Sequence, residues 1–276
     1  MPARAWGVEH LSPHQRVARL LEAGVDQLGG EHDPQLVVDL VERGEVSESR
    51  IDVSVRRLLV EKLALGLFDS PFADLGVATA TLGRPDFVAA GLQAQRDSVV
   101  LLTNGVREAG AGAAPLLPLP AGTRVYAEGV DRAVLADYFP VADRVEDADV
   151  ALLRLKAPYE PRPGGFEAQF HAGSLEFDPE TLASVTQLSG RLPTVVDVHL
   201  DRAAVVTEIA AAATALTVTF GVRAEAYLDV LSGRNEARGR LPVDLPRSMA
   251  AVVASRSDVP FDTADPVFRF GDGLTR

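Results

Sequence analysis

Short runs of β-branched and aliphatic residues alternate with amphipathic stretches from residue 99 onwards, and this alternation constrains the fold more than any other feature. The runs are predicted strands at residues 99–102, 124–127, 150–155, 194–200 and 216–220. Helical periodicity is found at residues 85–96, 131–138, 179–188, 202–213 and 224–231. Strands that alternate with helices form a mainly parallel sheet with helices on both faces. We therefore predict an α/β fold whose sheet is six-stranded and mostly parallel.

The beginning of the chain follows a different pattern. In residues 12–68 apolar side chains return every three or four positions, which is typical of amphipathic helices. Ser12-Pro13 is typical of a helix start, whereas Gly44 and Gly66 are typical of helix ends. Prolines and glycines follow Phe68 without either periodicity, as in an exposed linker. The predicted organisation is a helical segment at 1–68, a linker at 69–90 and an α/β domain at 91–276.

Composition excludes several classes of function. The formal net charge of −12 disfavours a nucleic-acid partner, because binding phosphates requires clustered lysine and arginine. The absence of cysteine excludes disulfides, thiolate metal sites and cysteine nucleophiles. No run of about 20 apolar residues suggests a membrane span. No charged and apolar leader pattern opens the sequence, so a cytoplasmic location is the default expectation.

Seven sequence motifs, taken in chain order, resemble those of one protein family. In the helical segment they are LEAGVD at 21–26, VSESRID at 46–52 and GLFDSP at 66–71. In the α/β part they are RDSVVLLTN at 96–104, LLPL at 116–119, GRLPVDLP at 239–246 and FRFGDGL at 268–274. Together they resemble the carboxy-terminal portion of glycoside hydrolases of family three, of the β-glucosidase type, over nearly the whole chain.

The resemblance implies a retaining hydrolase of β-linked glucosides or oligosaccharides that needs no cofactor. Retaining hydrolysis uses two carboxyl groups about 5–5.5 Å apart, one as nucleophile and one as general acid/base. In the family the nucleophile is an aspartate before a tryptophan, on a strand of a (β/α)8 barrel. The only tryptophan here is Trp6, preceded by Ala5. Residues 1–68 then resemble the end of that barrel, and we expect the chain to be inactive alone.

The family's general acid lies on a loop after the strand that ends here near Leu155. The sequence of residues 155–167, LKAPYEPRPGGFE, keeps the family's tyrosine but not the glutamate that precedes it. The candidates for the general acid/base are Glu160 and Glu167. Phe166 and His171 are candidates for substrate contacts. A proline- and glycine-rich loop at the carboxyl end of a parallel strand favours a ligand site, but a solvated surface loop has the same composition.

Other constellations carry less weight. Asp197, His199 and Asp201 alternate on a predicted strand and therefore share one face, as metal ligands do. The same alternation fits a structural role at the end of a strand, which we favour, so no metal is predicted. No Gly-x-Ser-x-Gly elbow is present.

Two other functions remain open. The chain could be a non-catalytic carbohydrate-binding or assembly module that pairs with a separate barrel chain, or that self-associates through residues 12–68. It could also be an unrelated flavodoxin-like binding protein, if the series of motifs were accidental.

Overall fold

The computed structural model describes residues 8–29, 33–105, 115–162, 167–256 and 258–275. Two compact units make up the chain, Met1–Gly83 and Arg84–Arg276. Each unit is built around its own buried residues.

The described residues of the first unit form four helices joined by turns and loops. Its helices are α1 (Pro13–Glu22), α2 (Gln35–Glu42), α3 (Glu48–Ala64) and α4 (Leu75–Thr81). Local sequence explains where they begin, because the hydroxyl of Ser12 accepts from the backbone N–H of Gln15 and that of Ser47 accepts from Arg50. Helix α4 lies inside the segment predicted as a linker, and the Asp74 side chain caps it by accepting from the backbone N–H of Val77.

A small core and one polar cluster hold this unit together. Val17, Leu21 and Leu40 are buried against each other. The Asp26 carboxylate accepts from Ser54 Oγ at 2.7 Å and from Arg57 Nη1 at 3.1 Å. The hydrogen bond from Ser54 is the largest cause of the lowered pKa of Asp26. The carboxylate of Asp26 therefore joins the loop after α1 to helix α3.

The second unit begins with α5 (Pro85–Asp97) and contains one sheet. Its strands are β1 (Val100–Asn104), β2 (Val125–Glu128), β3 (Val150–Lys156), β4 (Thr194–His199) and β5 (Ala215–Thr219). The order across the sheet is β1-β5-β4-β3-β2. All neighbouring strands are parallel except β1, which runs antiparallel to β5. The mostly parallel α/β sheet is confirmed.

The predicted number of strands is wrong, because the sheet has five strands in the described residues rather than six. The closing segment comes beside the edge strand but meets it at one isolated bridge, between Leu101 and Leu274. A turn precedes that bridge, with the N–H of Asp272 donating to Arg269 O. Gly271 has a φ of +84° in this turn. An extended run is therefore interrupted before it can pair as a further strand.

Helices cover both faces of the sheet, as the alternating pattern predicts. They are α6 (Arg132–Ala136), α7 (Pro179–Ser189), α8 (Thr207–Ala212), α9 (Ala224–Leu231) and α10 (Met249–Ala254). One buried cluster joins α7 and α8 to Val196 and Val198. The other joins α6 and α9 to Val195. Strand β4 thus contributes alternate side chains to two cores.

A buried charge lies in the middle of the sheet. The Asp197 side chain on β4 is fully buried and accepts from Arg154 Nε at 2.9 Å. It also accepts from Thr217 Oγ1 at 3.1 Å and from Thr219 Oγ1 at 2.9 Å. Burial raises the pKa of Asp197, and Arg154 together with the two hydroxyls counteracts that rise. Four polar groups therefore satisfy one another inside an otherwise apolar layer.

We predict that Arg154→Met destabilises the protein by about 3–5 kcal/mol, because it leaves the carboxylate of Asp197 buried without its partner. Arg144→Met is the matched control, since Arg144 pairs with Asp147 at the surface and such pairs contribute about 0–1 kcal/mol. Urea unfolding followed by far-UV circular dichroism measures both losses. Equal losses in the two variants would show that Arg154 is not needed to stabilise the buried carboxylate of Asp197.

Candidate functional site

The carboxyl ends of parallel strands β3 and β4 lie side by side and send out the loops that form the candidate site. Lys156, the last residue of β3, is in register with His199, the last residue of β4. The backbone N–H of Ala157 donates to His199 O at 2.9 Å, so the two chains leave the sheet together. Open α/β sheets place ligands beyond this edge. We define the β3 loop as residues 157–178 and the β4 loop as residues 200–206.

The β3 loop folds back on itself at Glu160. The backbone N–H of Glu160 donates to Ala172 O at 2.8 Å, and the two residues form an isolated antiparallel bridge. The Glu160 side chain is exposed, and its Oε1 accepts from the backbone N–H of Ser174 at 3.0 Å. A carboxyl group is thereby held at the loop surface, with Oε1 on the Ser174 amide and Oε2 beside Gly173.

Gly173 is the residue that makes room for this carboxyl group. Its φ is +79°, in the left-handed region. A Cβ at position 173 would lie 2.3 Å from Cδ of Glu160, well inside van der Waals contact. Glycine is therefore required here both by the backbone and by the side chain that packs over it.

His171 connects the β3 loop to the β4 loop. Its Nδ1 is hydrogen bonded to Oδ2 of Asp201, which follows strand β4. Its ring stacks on that of Tyr159, with centroids 3.6 Å apart and planes within 6°. Arg202 adds a second link, because its Nη2 donates to Gly173 O at 2.9 Å. Tyr159 remains 45% exposed, so the stacked rings offer an apolar surface beside Glu160.

The structure thus brings Glu160 and His171, two of the residues predicted from sequence, to the same edge of the sheet. Glu167 begins a short 3-10 helix, Glu167–Gln169. Phe166 lies outside the described residues. Sequence reasoning did not assign a role to Tyr159 or Arg202. Both lie within four residues of a predicted strand end, and that position was the available signal.

Asp197, His199 and Asp201 do not form a metal site. Asp197 is buried and paired with Arg154, whereas Asp201 is hydrogen bonded to His171 at the surface. Within the described ranges no group of three or more histidine or acidic residues is arranged to hold a metal ion. In this alternating set, Asp197 is a structural charge inside the sheet and Asp201 makes a contact between two loops.

Comparison with known proteins gives a consistent set of relatives. The chain is 52% identical to β-glucosidase C of Emericella nidulans over 275 residues, which is 99% of this chain and 44% of that protein. It is 36% identical to the periplasmic β-glucosidase/β-xylosidase of Dickeya chrysanthemi, over 98% of this chain and 40% of the relative. The chain therefore spans less than half the length of these curated relatives. No family model matches it.

Solved structures share the fold at lower sequence identity. A β-glucosidase from Listeria innocua, solved in complex with glucose, superposes with a TM-score of 0.67 over 96% of this chain and 44% of that one, at 20% identity. A β-glucosidase from Erythrobacter marinus gives 0.68 over 96% of this chain and 45% of its own, also at 20% identity. In the part of the chain that the structure describes, no helix is long and apolar enough to span a membrane.

We predict that Gly173→Ala destabilises the protein more than Gly271→Ala does. Both positions have positive φ, but only at 173 would the new methyl group displace Glu160 and break its bond to Ser174. The excess should be about 0.5–1.5 kcal/mol, the net contribution of one hydrogen bond. Urea unfolding measures the difference, and faster hydrogen exchange at the Ser174 amide should accompany it. An equal effect of both substitutions would contradict this packing.

Proposed function

The chain belongs to glycoside hydrolase family three, β-glucosidase type, and matches the carboxy-terminal part of its relatives; we propose that it supplies the general acid/base loop of a retaining β-glucosidase. The substrates would be β-linked glucosides or oligosaccharides, in keeping with the names of the relatives. No cofactor enters the proposal.

The exposed carboxyl group of Glu160 at the sheet edge is the observation that supports this proposal most directly. A general acid must reach the oxygen of the leaving group, and the Glu160 side chain is exposed while its Oε1 is anchored by the Ser174 amide. A carboxyl group in this place can donate a proton to the glycosidic oxygen as the alcohol leaves, and later accept one from the attacking water. Glu167, seven residues further along the same loop, is the second candidate for the role.

Sugar contacts are assigned to the same loop. His171 and Phe166 are the proposed substrate-binding residues. The flat surface of His171 and Tyr159 fits the apolar face of a pyranose ring, because aromatic rings combine a large apolar area with polar edges. One site would then hold both the ring and the glycosidic oxygen.

The chain by itself is proposed to be inactive. Covalent retaining hydrolysis needs a nucleophilic carboxylate about 5–5.5 Å from the general acid. The β3 loop offers an acid, whereas the opposing nucleophile in this family lies on the barrel. The complete reaction therefore requires the part of the relatives that this chain does not span.

A second function, that of an assembly module, is favoured by the surface of helix α3. Several of its large apolar side chains are about half exposed, namely Val53, Val55, Leu59, Val60 and Leu63. Apolar helix faces of this kind mark protein interfaces. Residues 12–68 could accordingly pair with a separate barrel chain or with a second copy of this chain, without any catalytic role for the β3 loop.

A chimera tests the catalytic proposal. In it this chain replaces the matching residues of Emericella nidulans β-glucosidase C. We expect the purified chain alone to leave p-nitrophenyl β-glucoside intact and the chimera to hydrolyse it, because only the chimera holds both carboxyl groups. A folded chimera without activity would contradict the catalytic proposal and leave the assembly function.

Substitutions in the chimera then identify the acid. Glu160→Gln should lower kcat/KM for cellobiose by about 10²–10⁴-fold, the usual contribution of general acid catalysis. It should have far less effect on 2,4-dinitrophenyl β-glucoside, whose leaving group needs no proton. Glu180→Gln, an exposed position on α7, is the control. If Glu167→Gln shows this pattern and Glu160→Gln does not, the acid is Glu167.

A further inference from the structure

We propose that Asp201 is a positioning residue for the β3 loop, and that it acts through His171 to fix the place of Glu160. The proposal rests on the function assigned above to that loop. It concerns a residue that does not itself need to touch the substrate.

The first step is that the β4 loop holds the β3 loop in place. Asp201 follows β4 and is therefore placed by a strand that is buried along nearly its whole length. Only the last residue of that strand, His199, is partly exposed. By contrast, the β3 loop is exposed at Tyr159 and Glu160. The hydrogen bond between Asp201 and His171 thus connects an exposed loop to a rigid element.

The second step is that His171 is linked to Glu160 in two ways. Its ring stacks on Tyr159, the residue immediately before Glu160. Its chain neighbour Ala172 accepts the backbone N–H of Glu160 at 2.8 Å. A shift of the His171 ring would therefore move Glu160 through the stacked tyrosine and through the backbone bridge.

The third step concerns charge and tautomer. A carboxylate can only accept a hydrogen bond, so Nδ1–H of His171 donates to Asp201, and Nε2 is the ring nitrogen left for a substrate hydroxyl. Carboxylate partners of this kind fix both the tautomer and the orientation of an imidazole. Tyr159 stacks on the ring. Two charged residues are chain neighbours of its partners, since Glu160 follows Tyr159 and Arg202 follows Asp201.

A displacement of about 1 Å at a reacting group can cost 10²-fold in rate. In the chimera described above we therefore expect Asp201→Ala to lower kcat for cellobiose by about 10- to 100-fold with little change in KM. Asp201→Asn, which keeps an acceptor oxygen, should recover part of the loss. His171→Phe keeps the stack on Tyr159 but lacks the hydrogen bond. It should cause at least the loss seen in Asp201→Ala, because it also removes the proposed sugar contact, and adding Asp201→Ala to it should cause no further loss.

The choice of substrate separates positioning from a structural role. If Asp201 positions the acid, the loss in kcat/KM must be much smaller for 2,4-dinitrophenyl β-glucoside than for cellobiose, because hydrolysis of the glycosyl-enzyme, which both substrates share, does not enter kcat/KM. A variant that was merely less folded would lose activity equally on both substrates. Asp143→Asn is the matched control, because Asp143 pairs with Arg132 at the surface, and it should leave both rates unchanged.

The outcomes distinguish the two proposals. An active wild-type chimera with unchanged kcat in Asp201→Ala, or with equal losses on both substrates, would overturn the positioning role alone. An inactive wild-type chimera would contradict the proposed function on which it rests. Hydrogen exchange of the chain alone gives a check that needs no catalysis: the Glu160 amide should exchange faster in Asp201→Ala and at the original rate in Asp143→Asn.

Discussion

The ion pair between Arg154 and Asp197 fixes the register of the three central strands, and the rest of the second unit depends on that register. Arg154 on β3 lies opposite Asp197, and Thr217 on β5 lies opposite it on the other side. A slip of one residue would turn Asp197 to the other face of the sheet and away from all its partners. An unpaired buried carboxylate would cost several kcal/mol, so competing registers are strongly disfavoured.

This register brings the candidate site together. Because Lys156 and His199 end their strands side by side, the loops that follow begin at neighbouring points. The β3 loop can then reach the β4 loop through His171 and Asp201, and through Arg202 and Gly173. An exposed loop alone would not hold these side chains in fixed positions, since few of them are packed. The buried ion pair of Asp197 therefore sets the strand register that brings the stacked rings of His171 and Tyr159 to the end of the sheet.

The chemistry proposed for the site is that of one half of a catalytic pair. An exposed carboxyl group beside stacked rings can bind a sugar and exchange a proton, but it cannot form the covalent intermediate of retaining hydrolysis without a second carboxylate. The chain corresponds to only 44% of the Emericella nidulans relative, which agrees with the second carboxylate lying in a part that this chain does not span. The exposed apolar side chains of α3 mark a further surface suited to contact with another protein segment.

The sequence by itself determined the local structure and the family. Periodicity and caps predict the helices at 179–188 and 224–231 to within one residue of α7 and α9, because a helix end depends on side chains a few residues away. The ordered motifs were sufficient to identify the family, and the exposed glutamate at 160 followed from its place after a strand. Helix α4 was missed because a single capping aspartate sits among turn-forming residues.

Only the tertiary structure decided how distant parts of the chain meet. It showed that β1 runs antiparallel to β5, that the closing segment turns at Gly271 instead of adding a sixth strand, and that Asp197 is a buried structural charge. It also paired His171 with Asp201 across thirty residues of sequence. Contacts between residues so far apart in sequence depend on the order of the strands across the sheet. The pattern of residues along the chain specifies which face of the sheet a side chain lies on, but not which strand lies beside it.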